Sequence, residues 1–215
     1  MDDATRALLA LWDTTEETVG GLRPADWARP LARTERARAC AALDTGGTDV
    51  TDLVTHLCGV HYAGPDRLQE ELAAAHVRAG RHLTHLAPHG EELAAHCLDM
   101  CLHTHDLLAA LDRELNRDAA EAAAAAACEL VVGVVPRLLA HAPTPRAASL
   151  RVVVRTSSGV VVDRVVPTTG HGAPETLEAD AVALVLLLSA RRGADELGDR
   201  VTGSGPTARR VLAVA

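Results

Sequence analysis

The spacing of apolar residues in this chain changes near residue 145. Before that point they recur every three to four positions, which indicates amphipathic helices. After it, short Val-rich runs flank small turn residues, which is typical of strands. Pro143 and Pro145 lie at the change and predict a linker. We therefore expect an α+β protein, with a helical bundle in residues 1–142 and a small α+β domain in residues 146–215.

Five helices are predicted in the first part. Each begins at a residue that suits a helix N-terminus, such as Asp, Thr, Pro or a pair of Glu. The predicted helices run from Asp2 or Asp3 to Val19, from Thr48 or Asp49 past His56, from Pro65 to Leu86, from Glu91 to Leu115, and from Asp118 to Leu139.

The second part predicts a β-hairpin followed by helix. Residues 150–155 and 160–166 are strand-like and flank Ser157-Ser158-Gly159. Residues 170–174 predict a loop. Residues 179–191 predict a buried helix, although their Val content leaves a strand open. Residues 201–214 predict either a strand and a helix or a helix alone.

Charge and hydropathy exclude several classes of protein. The chain has 21 basic and 29 acidic residues and a net charge of -8, so we expect no nucleic-acid partner. The longest apolar run, residues 179–190, is too short to span a bilayer, so no membrane partner is expected. The sequence begins Met1-Asp2-Asp3 without the basic residues of a signal peptide, which predicts a cytoplasmic protein.

The fourth predicted helix carries a carboxylate and an imidazole one turn apart. Asp99 and His103 have the i, i+4 spacing that places side chains on one helix face. Such a pair can supply two ligands to zinc or a similar metal, and His56 on another helix is a third candidate. Two structural explanations are also open: a solvated helix face, or an Asp–His hydrogen-bonded pair.

The five Cys residues do not predict a disulfide framework, because their number is odd. Cys97 and Cys101 lie one turn apart on the same helix as Asp99. They are predicted to be ordinary buried thiols, with a role as soft metal ligands left open.

Two segments of the chain resemble the DinB-like, mycothiol-dependent maleylpyruvate isomerase family. The first is DVTDLVTHLCG and the second, much later, is DMCLHTHDLLAAL. The family shows Trp-x-Val-x-Asp-Leu-x-x-His-Leu-x-Gly, and later Glu-x-x-x-His-x-x-Asp. The matching residues here are Val50, Asp52, Leu53, His56, Leu57, Gly59, His103 and Asp106.

The resemblance implies a DinB-like four-helix bundle with a divalent metal, most commonly Zn²⁺. The family's His-Glu-His ligands fall on His56, Asp99 and His103, and Asp106 is expected to orient a ligand. In the family a mycothiol thiolate adds to an electrophilic small molecule, which gives transfer or double-bond isomerisation. The chain lacks Lys, Ile and Phe, which indicates a GC-rich genome and is compatible with an actinobacterial source of mycothiol.

The chain departs from the family pattern at two positions. Asp99 replaces a Glu and is one methylene shorter, and Thr48 stands where the family has Trp. The alternatives are therefore a metal-free DinB-fold binding or regulatory protein, or a metal-dependent hydrolase that uses water. A substrate carboxylate is predicted to bind one of three arginines through bidentate contacts: Arg191, Arg209 or Arg210.

Overall fold

The computed structural model describes residues 2–31, 47–60, 64–85, 90–140 and 147–214. The chain is a mixed α and β protein, as predicted, with a small four-stranded sheet. It divides into two compact units, Met1–Ala123 and Ala124–Ala215. The assignment of residues 1–142 and 146–215 as separate domains stays a prediction, and the predicted linker at Pro143 lies outside the described residues.

Four helices make up most of the first unit. They are α1 (Asp3–Gly20), α2 (Val50–Cys58), α3 (Pro65–His85) and α4 (Glu91–Ala110). Two of them begin at predicted Asp caps. The Asp2 carboxylate accepts a hydrogen bond from Thr5 N at 2.8 Å, and the Asp49 carboxylate accepts one from Asp52 N at 2.9 Å. These bonds satisfy amide groups that have no partner within the helix.

One apolar cluster joins the four helices at one end of the unit. It contains Val19 of α1, Leu53 of α2, Leu68 of α3 and Leu107 of α4, each at most 1% exposed. Nearer the middle of α1, Thr15 shares a hydrogen bond with a Thr of α4. Successive contacts along α1 therefore meet successive positions of α4, so these two helices run in the same direction.

The fourth helix ends earlier than predicted, at Ala110 and not near Leu115. Asp112 adopts a left-handed conformation with φ of 56°, and Arg113 N donates to Leu108 O at 2.9 Å. A left-handed residue after the last turn lets following amides bond the free carbonyls and stops the helix. Asp112 occupies a position where Gly is usual, so its residue type did not predict the end of the helix.

The fifth predicted helix, residues 118–139, is wrong as a single element. It forms two helices, α5 (Arg117–Val132) and α6 (Val135–Ala140), separated by Gly133 and Val134. Pro136 lies in the first turn of α6. Helix α5 cannot continue through Pro136, because Pro lacks an amide hydrogen and its ring clashes with the carbonyl four residues earlier. The boundary between the two compact units falls within α5.

The second unit contains a sheet in the order β2-β1-β3-β4. Its strands are β1 (Ser149–Thr156), β2 (Gly159–Pro167), β3 (Glu175–Asp180) and β4 (Val201–Gly203). The predicted hairpin is confirmed, since β1 and β2 pair antiparallel around Ser157-Ser158. Gly159 has φ of 137°, a conformation that glycine adopts at low cost.

Strand β3 was not predicted. It pairs parallel to β1 and places alternate residues, including Leu177, in the core. Because β3 has acidic residues at both ends, its sequence does not show the alternation of apolar and polar residues that is typical of a strand. One of them, Glu175, is 9% exposed and accepts a hydrogen bond from Ala208 N at 2.8 Å. That bond ties β3 to the start of the C-terminal helix.

The remaining helices follow the sheet strands. They are α7 (Ala181–Leu188), α8 (Ala194–Leu197) and α9 (Pro206–Val214), with a short 3-10 turn at Gly198–Arg200. Helix α7 is apolar and buried along its whole length. Of the predicted alternatives for residues 201–214, the strand followed by a helix is the one that forms. Among the described residues, every helix is either too short or too polar to span a lipid bilayer.

Replacing Asp49 by Ala should destabilise the first unit. The substitution removes the carboxylate that caps α2, which costs about 1 kcal/mol in free energy of unfolding. Urea denaturation followed by circular dichroism measures this. Glu70→Ala, at an exposed position inside α3, is the matched control and should change stability by less than about 0.5 kcal/mol. Equal effects of the two substitutions would contradict the capping role.

Candidate functional site

Helix α4 places Asp99 and His103 one turn apart, as the sequence predicted. The His103 Nε2 atom lies 3.1 Å from Asp99 Oδ1. The imidazole is 1% exposed, whereas the carboxylate side chain is 51% exposed. The pair therefore links the interior of the helical unit to its surface.

The third predicted ligand, His56, meets this pair from another helix. It lies in the last turn of α2, before Gly59 ends the helix in a left-handed conformation. Its ring lies edge-on to the His103 ring, with centroids 4.9 Å apart and planes at 62°. One ligand atom from each of His56, Asp99 and His103 lies within 4.8 Å of the others. The structure thus brings the three predicted residues together.

The surroundings of Asp99 favour its charged form. Partial burial raises the pKa of this carboxyl. The hydrogen bond with His103 and the electrostatic interactions with His103, His56 and His96 lower the pKa. The net pKa lies below its usual value. Asp99 is therefore anionic at neutral pH, which is the form that binds a metal.

The three donors fit a divalent metal ion of the zinc type. Ligands at zinc distances of 2.0–2.2 Å in a tetrahedron lie about 3.3 Å from one another. The 3.1 Å between His103 Nε2 and Asp99 Oδ1 is close to that value. Both His56 and Asp99 are exposed, so small side-chain rotations can bring all three atoms to bonding distance. Three protein ligands leave a fourth position for a small molecule.

A cavity of about 440 Å³ adjoins the site. Of the three candidate ligands His56, Asp99 and His103, called the triad from here on, Asp99 lines this cavity. Its walls come from α1, α3 and α4, and include Leu8, Trp12, Arg78, Ala79, His82, Leu83, Glu92, His96 and Met100. The sequence reasoning missed Arg78, whose guanidinium donates to Cys58 O at 3.2 Å. Its i, i+4 spacing to His82 on α3 was the available signal.

The other predicted site residues lie elsewhere or deeper in the protein. Asp106 is completely buried one turn after His103, and its predicted role in orienting a ligand stays a prediction. The three predicted substrate arginines belong to the second unit. Arg191 is 2% exposed and donates to Ser189 O at 3.2 Å, whereas Arg209 and Arg210 are exposed on α9. Their roles also stay predictions.

Among the described residues of the first unit, Cys58, Cys97 and Cys101 are buried thiols. Cys97 is fully buried and Cys101 is 2% exposed. Burial, with a smaller contribution from the charge of Asp2, raises the pKa of Cys97 to about 12. Burial likewise raises the pKa of Cys58 to about 11. Since metals bind the thiolate, the raised pKa disfavours Cys97 as a ligand.

No family model, no curated protein and no solved structure matches the chain. The resemblance to the DinB-like family therefore depends on the sequence alone.

The buried thiols should resist alkylation in the folded protein. At pH 8 a thiol of pKa 12 is thiolate in only about one molecule in ten thousand, against roughly a quarter for an unperturbed thiol. We expect iodoacetamide to label Cys97 at least about 100-fold more slowly in the folded protein than in urea. Peptide mass spectrometry after timed labelling measures both rates. Equal rates would show that Cys97 is accessible and ionisable.

Proposed function

We propose that this protein is a metal-dependent transferase or isomerase that uses a low-molecular-weight thiol of the mycothiol type. Its substrate would be a small electrophilic molecule. The observation that carries the proposal is the convergence of His56, Asp99 and His103 from two helices. A DinB-like four-helix bundle belongs to the same proposal, because it comes from the sequence motifs.

The donor set supports a zinc-type ion more than magnesium or calcium. Two imidazoles and one carboxylate suit zinc, nickel or iron, whereas magnesium and calcium prefer oxygen ligands alone. When bound, such an ion would lower the pKa of a coordinated thiol, which makes the sulfur nucleophilic at neutral pH.

The chain's own residues would position the reactants around that ion. The buried His103 would supply a ligand with a fixed position. The exposed Asp99 and His56 would bind the ion from the solvent side. Leu8, Trp12 and Met100 give the cavity apolar walls that exclude water from a small substrate. Arg78, at the same cavity, is suited to hold a substrate carboxylate through its free N–H groups.

Metal content is the first test of the proposal. Purified tag-free protein should bind one equivalent of Zn²⁺ that is lost when His56 or Asp99 is replaced. Removing a residue that only hydrogen-bonds to a metal ligand weakens metal binding roughly 10- to 100-fold. Removing a ligand itself should therefore weaken zinc binding at least about 100-fold. Equilibrium dialysis with elemental analysis of wild type, His56→Ala and Asp99→Asn measures this.

Two further variants serve as controls in that test. His171→Ala removes an exposed imidazole in the second unit and should leave zinc binding unchanged. Asp99→Glu restores the family's residue and should retain the ion. If His56→Ala and Asp99→Asn bind as many equivalents of zinc as wild type, and as tightly, the three residues are not zinc ligands and the proposal is wrong.

The use of thiol can be separated from the use of water with cobalt-substituted protein. Adding mycothiol should produce a sulfur-to-cobalt charge-transfer band, because the thiolate would occupy the open metal position. The band should be lost in Asp99→Asn. Activity toward an electrophile that does not depend on added thiol, without such a band, would favour the hydrolase. A stable metal-free protein that still binds the electrophile would favour the binding protein.

A further inference from the structure

We propose that His82, Glu92 and His96 form a second divalent-metal site, separate from the triad, on the wall of the same cavity. One ligand atom from each of these residues lies within 4.8 Å of the others. The inference goes beyond the proposed function, since it needs neither the triad ion nor a thiol.

Two helices bring these ligands together. Glu92 and His96 have the i, i+4 spacing and lie on one face in the first turns of α4. His82 comes from the last turns of α3, the helix that precedes α4 in the chain. The His82 and His96 rings lie edge to face, with centroids 5.5 Å apart and planes at 79°. That arrangement lets the nitrogen of each ring approach one shared point.

The contact between His82 and Glu92 is too long for a good hydrogen bond. Nε2 of His82 lies 3.5 Å from Oε1 of Glu92. This nitrogen is enclosed, and it makes no hydrogen bond to any described residue. An enclosed polar atom without a partner is unfavourable, and an ion between the two side chains would supply the partner.

The chemistry of the donors selects the same kind of ion as the triad. Two imidazoles and one carboxylate suit Zn²⁺, Co²⁺, Ni²⁺ or Fe²⁺ and leave coordination positions open. All three residues line the 440 Å³ cavity together with Asp99 and Arg78. The open positions would therefore face the space where a small anionic ligand would bind.

The second site can be tested without relying on the first. In tag-free His56→Ala protein, equilibrium dialysis should find one equivalent of Zn²⁺. Adding His96→Ala or Glu92→Gln should weaken that binding at least about 100-fold, as expected for loss of a ligand. His56→Ala/His171→Ala is the matched control and should retain the ion. X-ray absorption of the zinc in His56→Ala should show two imidazole ligands.

The failure of this inference can be distinguished from failure of the proposed function. If wild type binds one zinc and His56→Ala binds none, the second site is overturned and the triad stands. If wild type binds one zinc that survives His56→Ala and is lost with His96→Ala, the second site stands and the triad is wrong. Zinc binding in His56→Ala that is unchanged by both His96→Ala and Glu92→Gln overturns the second site. Circular dichroism of each variant confirms that it is folded.

Discussion

The first unit depends on burying four consecutive polar residues of α4, His103 to Asp106, each at most 4% exposed. A buried polar group without a hydrogen-bond partner costs about 1–3 kcal/mol, so neighbouring side chains must supply hydrogen-bond partners to this segment. Thr15 of α1 shares a 3.0 Å hydrogen bond with Thr104, and Asp99 meets His103 from the previous turn. The contacts that hold α4 in register therefore also fix the candidate site.

The sequence predicted helix caps and the hairpin turn better than it predicted the ends of helices and the presence of strand β3. Helix caps and the hairpin at Ser157-Ser158 depend on a few neighbouring residues. The hairpin is confirmed, and of the two candidates at each helix start, Asp2 and Asp49 are the residues that form the cap. Asp112 ends α4 in a conformation typical of Gly, which residue type alone did not reveal. Strand β3 is held by its parallel partner and by burial of Glu175, and neither is visible in its own residues.

The same division applies to the site. Helical spacing was enough to pair Asp99 with His103, and it also pairs Glu92 with His96. Placing His56 beside His103 needed the packing of α2 against α4, which only the resemblance to a family suggested. The sequence did not predict that His82 lies beside Glu92 and His96, because this contact depends on how α3 and α4 approach each other around a cavity.

The unequal exposure of the triad has a kinetic consequence. His103 is enclosed, but Asp99 and His56 reach solvent, so an ion can arrive and leave past the two exposed side chains. Exchange would then need breaking of the metal–ligand bonds and side-chain rotation, and not the slow opening of packed helices. A bound ion would therefore exchange with free metal around the protein at a rate that is independent of how often the fold opens.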